Sequence, residues 1–463
     1  MSPEAAAQTA LSRADELRTH LPSNFRDGLV ETLYGEADRI ASRAVKAGEK
    51  RDWDLDQRID RLVTSPVFGL PLMLLLMAAV FWITIIGANY PSQALAELLF
   101  MVEDRAVALF NSLGAPWWLT GFVWNGVFRG LAWVVSVMLP PMAIFFPLFT
   151  ILEDLGYLPR VAFNMDWLFR KAGAHGKQSL TIAMGFGCNA AGVVSTRIID
   201  SPRERLIAIL TNNFVPCNGR FPTLIMLATI FVAAKFPPAF ASLAAAGSVM
   251  VVVLLGILVT LIVSWLLSRT LLVGEGSAFT LELPPYRRPS IARVLYTSLI
   301  DRTIFVLGRA MLTAAPAGGV IWILANTYWN GTSLAQHVSQ FLQPFGSAIG
   351  LDGVILLAYI IAIPANEIVV PTMLMVYLGT GSMTEVTSFE QVRRILVEQN
   401  GWTMLTAVCL MLFSLLHNPC ATTILTIWRE TRDAKWTTIG ALMPLGIAFL
   451  VTFLVATAVR LLS

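Results

Sequence analysis

Apolar runs of about 20 residues recur along the chain from residue 66 to its end. A run of that length can cross a hydrocarbon core of roughly 30 Å as an α-helix. The pattern predicts membrane-spanning helices at about residues 66–88, 121–153, 205–234, 239–268, 303–327, 402–427 and 436–460. The predicted fold class is therefore all-α, a polytopic membrane protein with 7–9 membrane segments.

The first 61 residues are hydrophilic and precede every apolar run. Apolar side chains recur there at three- to four-residue spacing across residues 9–47, which predicts one or two amphipathic helices. We interpret residues 1–61 as a cytoplasmic helical segment that folds as a hairpin on the membrane domain. A docking surface for a separate protein is the alternative. No apolar segment with a small-residue cleavage site opens the sequence, so we expect no signal peptide.

Basic residues predict the topology, because cytoplasmic loops are enriched in lysine and arginine. Arg51, Arg58 and Arg61 precede the first run and predict a cytoplasmic N-terminus. A basic loop at 271–302 divides the chain into a first membrane half, 62–270, and a second, 303–463. Residues 328–349 contain no lysine or arginine and predict an external loop. Residues 92–112 predict an interfacial helix after the first span.

Two apolar segments are interrupted in a way that a plain membrane span is not. Residues 178–196 read QSLTIAMGFGCNAAGVVST and have basic residues on both flanks, whereas 350–378 is broken by Pro364 and Pro371. Both predict re-entrant or broken helices, which lie at membrane depth only when they are buried or line a cavity. If both segments re-enter, the chain crosses the membrane seven times, and if one crosses, eight times.

The two interrupted segments also belong to a weak internal repeat. Residues 168–196 align without a gap to 344–372, which sets Cys188 opposite Pro364. The first copy is predicted to enter the membrane from inside and the second from outside. This is the pattern of inverted-repeat transporters, whose sites lie where two broken helices meet. A chance match between apolar segments is the alternative.

Composition agrees with a membrane protein. Of the 463 residues 56% are hydrophobic and only 14% are charged, and the mean hydropathy is +0.67. Soluble domains carry about 25% charged residues. The net charge of +3 gives no indication of a nucleic-acid partner. The four cysteines have neither the spacing of a soluble zinc motif nor that of a secreted disulfide framework.

The first candidate site residues are Cys188 and Asn189, which follow Gly185-Phe186-Gly187. Glycine lets backbone carbonyls turn towards a cavity, and a thiolate with an amide oxygen suits a borderline cation such as Fe²⁺ or Zn²⁺. A lone cysteine in an apolar helix is also a common packing residue.

A second cluster, Asn212-Asn213-Phe214-Val215-Pro216-Cys217-Asn218-Gly219-Arg220, places amides, a thiol and a guanidinium inside an apolar run. Polar groups at membrane depth are costly and are usually functional. Asn213 and Cys217 are therefore candidate cation ligands. Arg220 is expected either to reach the interface or to pair with Glu367 or Glu153.

The remaining candidates also follow helix breaks. Glu367 lies between two prolines and requires a cation, a proton or a charged partner. Cys420 follows Asn418-Pro419 and is a further candidate ligand, whereas Cys409 has no such break and is interpreted as packing. A complete tetrahedral thiolate site would hold an ion too tightly for transport, because the ion must also leave.

Several of these segments resemble a known family. GFGCNAAG, FVPCNGRFP, LELPPYRRP, IPANEIVVPT and NPCATTILTIWRET are similar, in the same order, to the membrane domain of the FeoB ferrous iron transporter family. The resemblance covers roughly residues 24–460. It implies two gate-type (nucleoside-recognition) repeats, Fe²⁺ as the transported substrate, Cys188 and Cys217 as pore cysteines, and Glu367 as the acidic position.

The sequence departs from the family at three places beside these residues. Many members have Gly-Cys-Asn-Val-Pro around the first cysteine and Ser-Cys-Gly-Ala-Arg around the second, whereas this chain has Ala190-Ala191 and Pro216. A lysine commonly precedes the acidic residue, where this chain has Asn366. These departures leave the metal preference open.

The G domain that begins full-length members has no counterpart in this sequence, because no G-x-x-x-x-G-K-[ST] phosphate loop occurs in it. We therefore expect no enzymatic activity and no GTP hydrolysis by that mechanism in this chain. Either a separate GTPase docks on residues 1–60, or the sequence is part of a longer protein, or transport is passive.

The sequence thus predicts a multi-pass permease of the prokaryotic inner membrane that moves Fe²⁺ into the cytoplasm, with no tightly bound cofactor. Its expected partners are the lipid bilayer, a separate GTPase or small Feo accessory protein, and further copies of itself. The alternatives are transport of another divalent metal or of nucleosides, and a non-transporting membrane scaffold or sensor that recruits a soluble partner.

Overall fold

The computed structural model describes Arg13 and residues 25–44, 53–65, 67–274, 286–383 and 389–462. These residues are almost entirely helical, as predicted. Six helices are long and apolar enough to cross a membrane, and a bent pair adds a seventh candidate. With two shorter apolar helices, the described membrane segments fall within the predicted seven to nine.

The helices are α1 Phe25–Ala44, α2 Trp53–Val63, α3 Gly69–Ser112, α4 Trp117–Asp154, α5 Tyr157–Lys171, α6 Gln178–Gly187, α7 Asn189–Ser195, α8 Pro202–Thr211, α9 Phe221–Lys235, α10 Pro238–Arg269, α11 Ile291–Asn326, α12 Leu334–Ala348, α13 Gly353–Ile361, α14 Asn366–Leu378, α15 Phe389–Arg393, α16 Met404–Leu416, α17 Ala421–Thr431 and α18 Ala434–Leu462. A two-residue hairpin pairs strands β1 Tyr328–Trp329 and β2 Thr332–Ser333. Turns of π- or 3₁₀-helix are included in α4, α9, α11 and α14.

The N-terminal region contacts the membrane domain through α2. The described side chains of α1 are exposed, including Leu29 at 48% and Leu33 at 61%, so they do not show the predicted packing on the membrane domain. On α2, Asp60 instead accepts hydrogen bonds from Nε and Nη2 of the buried Arg160 on α5, at 3.0 and 3.2 Å. The Tyr286 hydroxyl donates to the same carboxylate at 2.8 Å.

These contacts join α2, α5 and the segment before α11, and we call them the Asp60 clasp. Burial alone would raise the pKa of Asp60, but the hydrogen bonds from Arg160 and Tyr286 outweigh burial and hold this pKa below its usual value. The Arg160 guanidinium also lies over the Tyr286 ring, 4.2 Å from its centroid. The clasp therefore fixes the last helix before the first membrane span.

The predicted break after the first span is wrong. Helix α3 runs without interruption through Pro91 for 44 residues, roughly 66 Å, so no separate interfacial helix forms at 92–112. Its polar face has a partner in the protein, since Arg129 Nε on α4 donates to Glu103 at 3.1 Å. Arg129 also donates to Ser382 at 2.9 Å. Glu103 is therefore paired inside the bundle, whereas Glu97, Asp104 and Arg105 on the same stretch are exposed.

Two predicted loops contain helix. Helix α11 begins at Ile291, inside the predicted loop 271–302, because a π-helical turn at Thr297–Ile304 continues the span backwards. The predicted external loop 328–349 holds the hairpin and α12, whose first turn is closed by a capping box between Ser333 and Gln336. Helices α12 and α13 meet at 110°. Charge counting alone could not detect these helices.

The other predicted spans agree with the structure at 121–153, 239–268 and 436–460, which correspond to α4, α10 and α18. The spans predicted at 205–234 and 402–427 each contain a break in the middle, although α16 and α17 together, Met404–Thr431, form one of the six candidate membrane spans. Residues 212–220 separate α8 from α9, and residues 417–420 separate α16 from α17. Both breaks contain prolines, which cannot continue the helical hydrogen-bond ladder.

Glycines let α4 and α11 approach closely in the centre of the bundle. A Cβ at Gly318 would lie 2.3 Å from the carbonyl oxygen of Gly126, and one at Gly130 would lie 2.9 Å from the Gly318 Cα. Small residues at such crossings are typical of membrane helix pairs, where close backbone packing replaces the hydrophobic driving force. This contact holds the two halves of the described membrane region together.

Candidate cation site

The predicted break in 178–196 is confirmed and is a single extended residue. Helix α6 ends at Gly187, Cys188 has φ −156° and ψ 122°, and α7 begins at Asn189. The same geometry recurs at Ala365, with φ −154° and ψ 121°, directly before the 3₁₀ turn that opens α14. The structural counterpart of Cys188 is therefore Ala365. The gapless alignment, which matched Cys188 to Pro364, is wrong by one residue.

The break at Cys188 depends on glycine for its packing. A Cβ at Gly187 would lie 2.1 Å from the Phe145 ring, and one at Gly192 would lie 2.5 Å from the Asn212 amide. That amide donates to the Asn189 carbonyl at 3.0 Å. Helices α6 and α7 can therefore sit against their neighbours with the Cys188 side chain at the junction.

Four helix breaks converge on one small cavity of about 30 Å³. Cys188 and Asn189 come from the first break, Cys217 from the second, Glu367 from the third and Cys420 from the fourth. A cavity of this size is large enough to hold at least one water molecule. The structure thus brings five of the six predicted ligands together, although their binding of a metal stays a prediction.

The sixth predicted ligand, Asn213, is not part of the cavity wall. Its Oδ1 accepts from Asn189 Nδ2 at 3.2 Å and from Arg220 Nη2 at 3.0 Å, and its Nδ2 donates to the His417 carbonyl at 2.7 Å. Asn213 therefore supports the Asn189 side chain from behind.

Arg220 is fully buried and makes neither of its predicted ion pairs. Its guanidinium donates to the carbonyl oxygens of Asn213, Leu415, His417 and Asn418 at 2.7–3.3 Å, as well as to the Asn213 side chain. These bonds tie the break at 212–220 to the break at 417–420. The prediction that Arg220 pairs with Glu367 or Glu153 is wrong, because both Nη atoms of the guanidinium donate to main-chain carbonyls and to Asn213 instead, and only Nε has no partner among the described residues. Glu153 is instead bonded to Arg302 at 3.1 Å.

Glu367 has no lysine, arginine or histidine nitrogen within 4.0 Å among the residues that the structure describes. Its carboxylate rests against Gly219, where an added Cβ would lie 2.2 Å from Oε1. The glycine thus leaves room for an acidic group at the cavity wall. A carboxylate in this position can attract a cation without already being neutralised by a bonded side chain.

Sequence reasoning missed His417, Asn366 and Thr422. His417 Nε2 lies 3.1 Å from Asn366 Oδ1, and the Asn366 amide lies 4.0 Å from Cys217 Sγ. Asn366 and Thr422 also face the cavity. The nearby prolines, Pro419 and Pro364, indicated helix breaks at His417 and Asn366. The sequence could not show that these residues lie close to Cys217, because that depends on tertiary contacts.

Cys409 is separate from this cavity. Its side chain is completely buried, and a Cβ at Gly350 would lie 2.7 Å from its sulfur. Cys420, in contrast, lies at the cavity wall. Its Sγ is 3.3 Å from the hydroxyl of Thr423. The thiols therefore divide into three that share the site and one that packs elsewhere.

Within the described ranges, no three side chains of His, Cys, Asp or Glu lie close enough together to hold a metal ion on their own. The cavity instead mixes thiols and a carboxylate with neutral amide and hydroxyl oxygens. Such a set can replace part of the hydration shell of a divalent cation without enclosing it in a tetrahedral site.

Two family profiles match the chain. The profile described as "Gate: Nucleoside recognition" matches residues 135–231 and 307–434, and "Ferrous iron transport protein B C terminus" matches residues 249–301. The two Gate matches contain all four helix breaks. They also show that the two broken-helix units are repeats of one family.

Curated relatives agree with these profiles. The Fe(2+) transporter FeoB of Staphylococcus aureus is 30% identical over 409 residues, 86% of this chain and 58% of the relative. That of Synechocystis is 29% identical, over 86% of this chain and 62% of the relative. The "Fe(2+) transport protein A/Fe(2+) transporter FeoB fusion protein" of Porphyromonas gingivalis is 26% identical, over 97% and 57%.

The chain thus spans somewhat more than half the length of the curated relatives it matches. No solved structure gives a significant match. The two profiles, the order of the matched segments and the helical membrane fold agree with one another. The chain belongs to the FeoB family and corresponds to its membrane region, with two Gate repeats.

Proposed function

We propose that this chain forms the membrane pathway through which Fe²⁺ enters the cytoplasm. The observation that carries the proposal is the convergence of three thiols and one carboxylate from four helix breaks on a cavity of about 30 Å³. Cys188 and Cys217 act as transient ligands, assisted by Cys420, Asn189 and Glu367. The names of the relatives, all Fe(2+) transporters, support this choice of ion.

The chemistry of the cavity suits a borderline divalent cation. Thiolate sulfur binds Fe²⁺ and Zn²⁺ well, and amide and carboxylate oxygens are better ligands for harder ions such as Mg²⁺ and Mn²⁺. A thiol releases its proton when it binds metal, so each binding event is coupled to local proton movement. Asn213 has a positioning role in this proposal because its amide holds Asn189 and Arg220.

The charge pattern supports the orientation of the chain in this proposal. Arg51, Arg58 and Arg61 before the first span favour a cytoplasmic N-terminus under the positive-inside rule. The fusion named in the Porphyromonas gingivalis relative supports a small accessory protein as a further partner.

Iron flux into proteoliposomes tests the proposal. Purified protein is reconstituted, and uptake of radioactive Fe²⁺ kept reduced by ascorbate is measured for the wild type and for Cys188→Ser and Cys217→Ser. We expect each substitution to reduce the initial rate by about tenfold or more, because a ligand is lost. Cys409→Ser is the matched control and retains the wild-type rate, since Cys409 lies outside the cavity. Equal rates in all four proteins would contradict the ligand assignment.

Nucleoside transport is the second candidate, because the matched Gate profile is described as nucleoside recognition. Sites for small organic molecules usually have about 300–1,000 Å³, far more than the 30 Å³ between the helix breaks. The cavity therefore favours an ion over a nucleoside. Uptake of labelled uridine in the same vesicles separates the two functions.

A further inference from the structure

The Thr422 hydroxyl is a buried polar group that the proposed ligand set does not include. Thr422 is only 4% exposed, and its Oγ1 has no hydrogen-bond partner among the described residues. It is the second residue of α17, directly after the break that contains Cys420, and it faces the cavity shared by the three thiols. An unpaired buried hydroxyl of this kind requires a ligand or a water molecule.

The lack of a partner follows from the position of Thr422 in the fold. Several threonine hydroxyls inside the described helices bond to the carbonyl four residues earlier, as Thr426 does with Thr422 at 2.8 Å. The corresponding residue for Thr422 is Asn418, which lies in the break before α17. The Asn418 carbonyl accepts from Arg220 Nη2 at 3.3 Å instead. The break that positions Cys420 therefore also frees the hydroxyl of Thr422.

A second unpaired oxygen faces the same cavity from the first repeat. Asn189 is 3% exposed, and its Oδ1 has no hydrogen-bond partner among the described residues. Its amide nitrogen is held by Asn213 Oδ1 at 3.2 Å, so the side chain has a fixed orientation. Each repeat thus supplies one neutral oxygen to the space between the thiols.

We propose that the Thr422 hydroxyl and the Asn189 amide oxygen form an oxygen-donor face of the cation site, which sets the preference for Fe²⁺ over the softer ions Zn²⁺ and Cu⁺. This inference rests on the proposed transport function and assigns Thr422 a role in it. Soft thiolate ligands alone favour Cu⁺ and Zn²⁺, and added oxygen ligands shift a site towards harder divalent ions. A neutral hydroxyl also binds weakly, which lets the ion leave.

Two substitutions at Thr422 test the proposal, because one changes the hydroxyl group and the other changes the side-chain volume. Thr422→Val keeps the volume and removes the hydroxyl, whereas Thr422→Ser keeps the hydroxyl. Thr426→Val is the control, because the hydroxyl of Thr426 bonds only within the helix one turn away. Initial rates of Fe²⁺ and Zn²⁺ uptake into proteoliposomes are compared, and thermal unfolding in detergent monitors the fold.

We expect Thr422→Val to lower Fe²⁺ uptake by about tenfold and to reduce the ratio of Fe²⁺ to Zn²⁺ uptake. Thr422→Ser and Thr426→Val should retain the wild-type ratio. If the valine variant does not fold, Thr422→Cys provides the second test, because a fourth soft sulfur at the cavity should shift the preference towards Zn²⁺.

The outcomes separate this inference from the proposed function. An unchanged uptake ratio in Thr422→Val and Thr422→Cys, with uptake still dependent on Cys188 and Cys217, would overturn the role of Thr422 alone. Loss of stability without a change in the ratio would assign the hydroxyl to a structural water and would also overturn it. A wild-type protein that carries no Fe²⁺ would overturn both proposals.

Discussion

Replacing Arg220 with methionine should loosen the two helix breaks that Arg220 holds together. The guanidinium donates to the carbonyl oxygens of Asn213, Leu415, His417 and Asn418, and to the Asn213 side chain, at 2.7–3.3 Å. Methionine fills a similar volume but donates no hydrogen bond. The carbonyl groups at both breaks would then lose their buried partner.

The size of the effect can be estimated from these bonds. A hydrogen bond to a charged group contributes about 1.5–3 kcal/mol, but five such bonds do not add up, because methionine also removes the cost of burying a charge. Buried carbonyl groups left without a donor cost about 1–3 kcal/mol each, so we expect the free energy of unfolding to fall by about 3–5 kcal/mol. Arg220→Lys keeps the charge but has only three donors, so it should lose about half as much.

Denaturant unfolding in detergent, followed by tryptophan fluorescence, measures these differences. Iron uptake should fall in the same order, from wild type through Arg220→Lys to Arg220→Met, because Cys217 and Cys420 lie on the segments that Arg220 joins. An unfolding free energy for Arg220→Met within about 1 kcal/mol of the wild type would refute the reasoning, since the lost bonds would then contribute almost nothing.

Three further substitutions test other parts of the structure. Gly219→Ala should displace the Glu367 carboxylate, whose oxygen lies 2.2 Å from the new Cβ, and should lower Fe²⁺ uptake with little change in thermal stability. Gly318→Ala should cost about 1–3 kcal/mol of unfolding free energy in denaturant titrations, because its Cβ would collide with the α4 main chain. The low pKa of Asp60 stabilises the folded state above its unfolded pKa, and this contribution is lost as pH falls through the folded value. In hydrogen exchange, α2 should therefore lose protection at acidic pH in the wild type, whereas Asp60→Asn should show weaker protection even at neutral pH, because its contact with Arg160 loses its charge.

Most of the fold could be predicted from the sequence because membrane helices have a strong local signal. The spans at α4, α10 and α18 follow directly from apolar length, and the break at Cys188 follows from its glycines. The continuation of α3 through Pro91 could not be predicted in the same way. The polar face of the continued helix has its partner in Arg129, which contacts Glu103 and lies 26 residues further along the chain, so the local pattern does not reveal it.

The candidate site was predictable in its residue types but not in its arrangement. Cys188, Cys217 and Glu367 were recognised as candidates because polar groups at membrane depth are energetically costly and usually have a function. The position of Asn213 behind the cavity and the role of Arg220 depend on main-chain carbonyls from the second Gate repeat. Every residue has a main-chain carbonyl, so the sequence does not show which carbonyls accept hydrogen bonds. The polar network around the site could therefore be identified only from the structure.

The register of the internal repeat is a second feature that the sequence alone did not predict correctly. Matching residues by similarity placed Cys188 opposite Pro364, whereas the backbone dihedral angles place it opposite Ala365. The corrected register aligns Asn189 with Asn366, both of which face the cavity. Equivalent amides from the two repeats thus meet at the site, which the gapless sequence alignment did not reveal. Whether the two repeats insert from opposite sides stays a prediction.

The most direct test of the account is the initial rate of Fe²⁺ uptake into proteoliposomes for the wild type and the Cys188→Ser/Cys217→Ser double variant, measured side by side at equal protein content. The account predicts uptake by the wild type and a loss of at least about tenfold in the double variant, with unchanged thermal unfolding. Equal uptake by the two folded proteins would contradict the claim that Fe²⁺ passes through the cavity between the helix breaks.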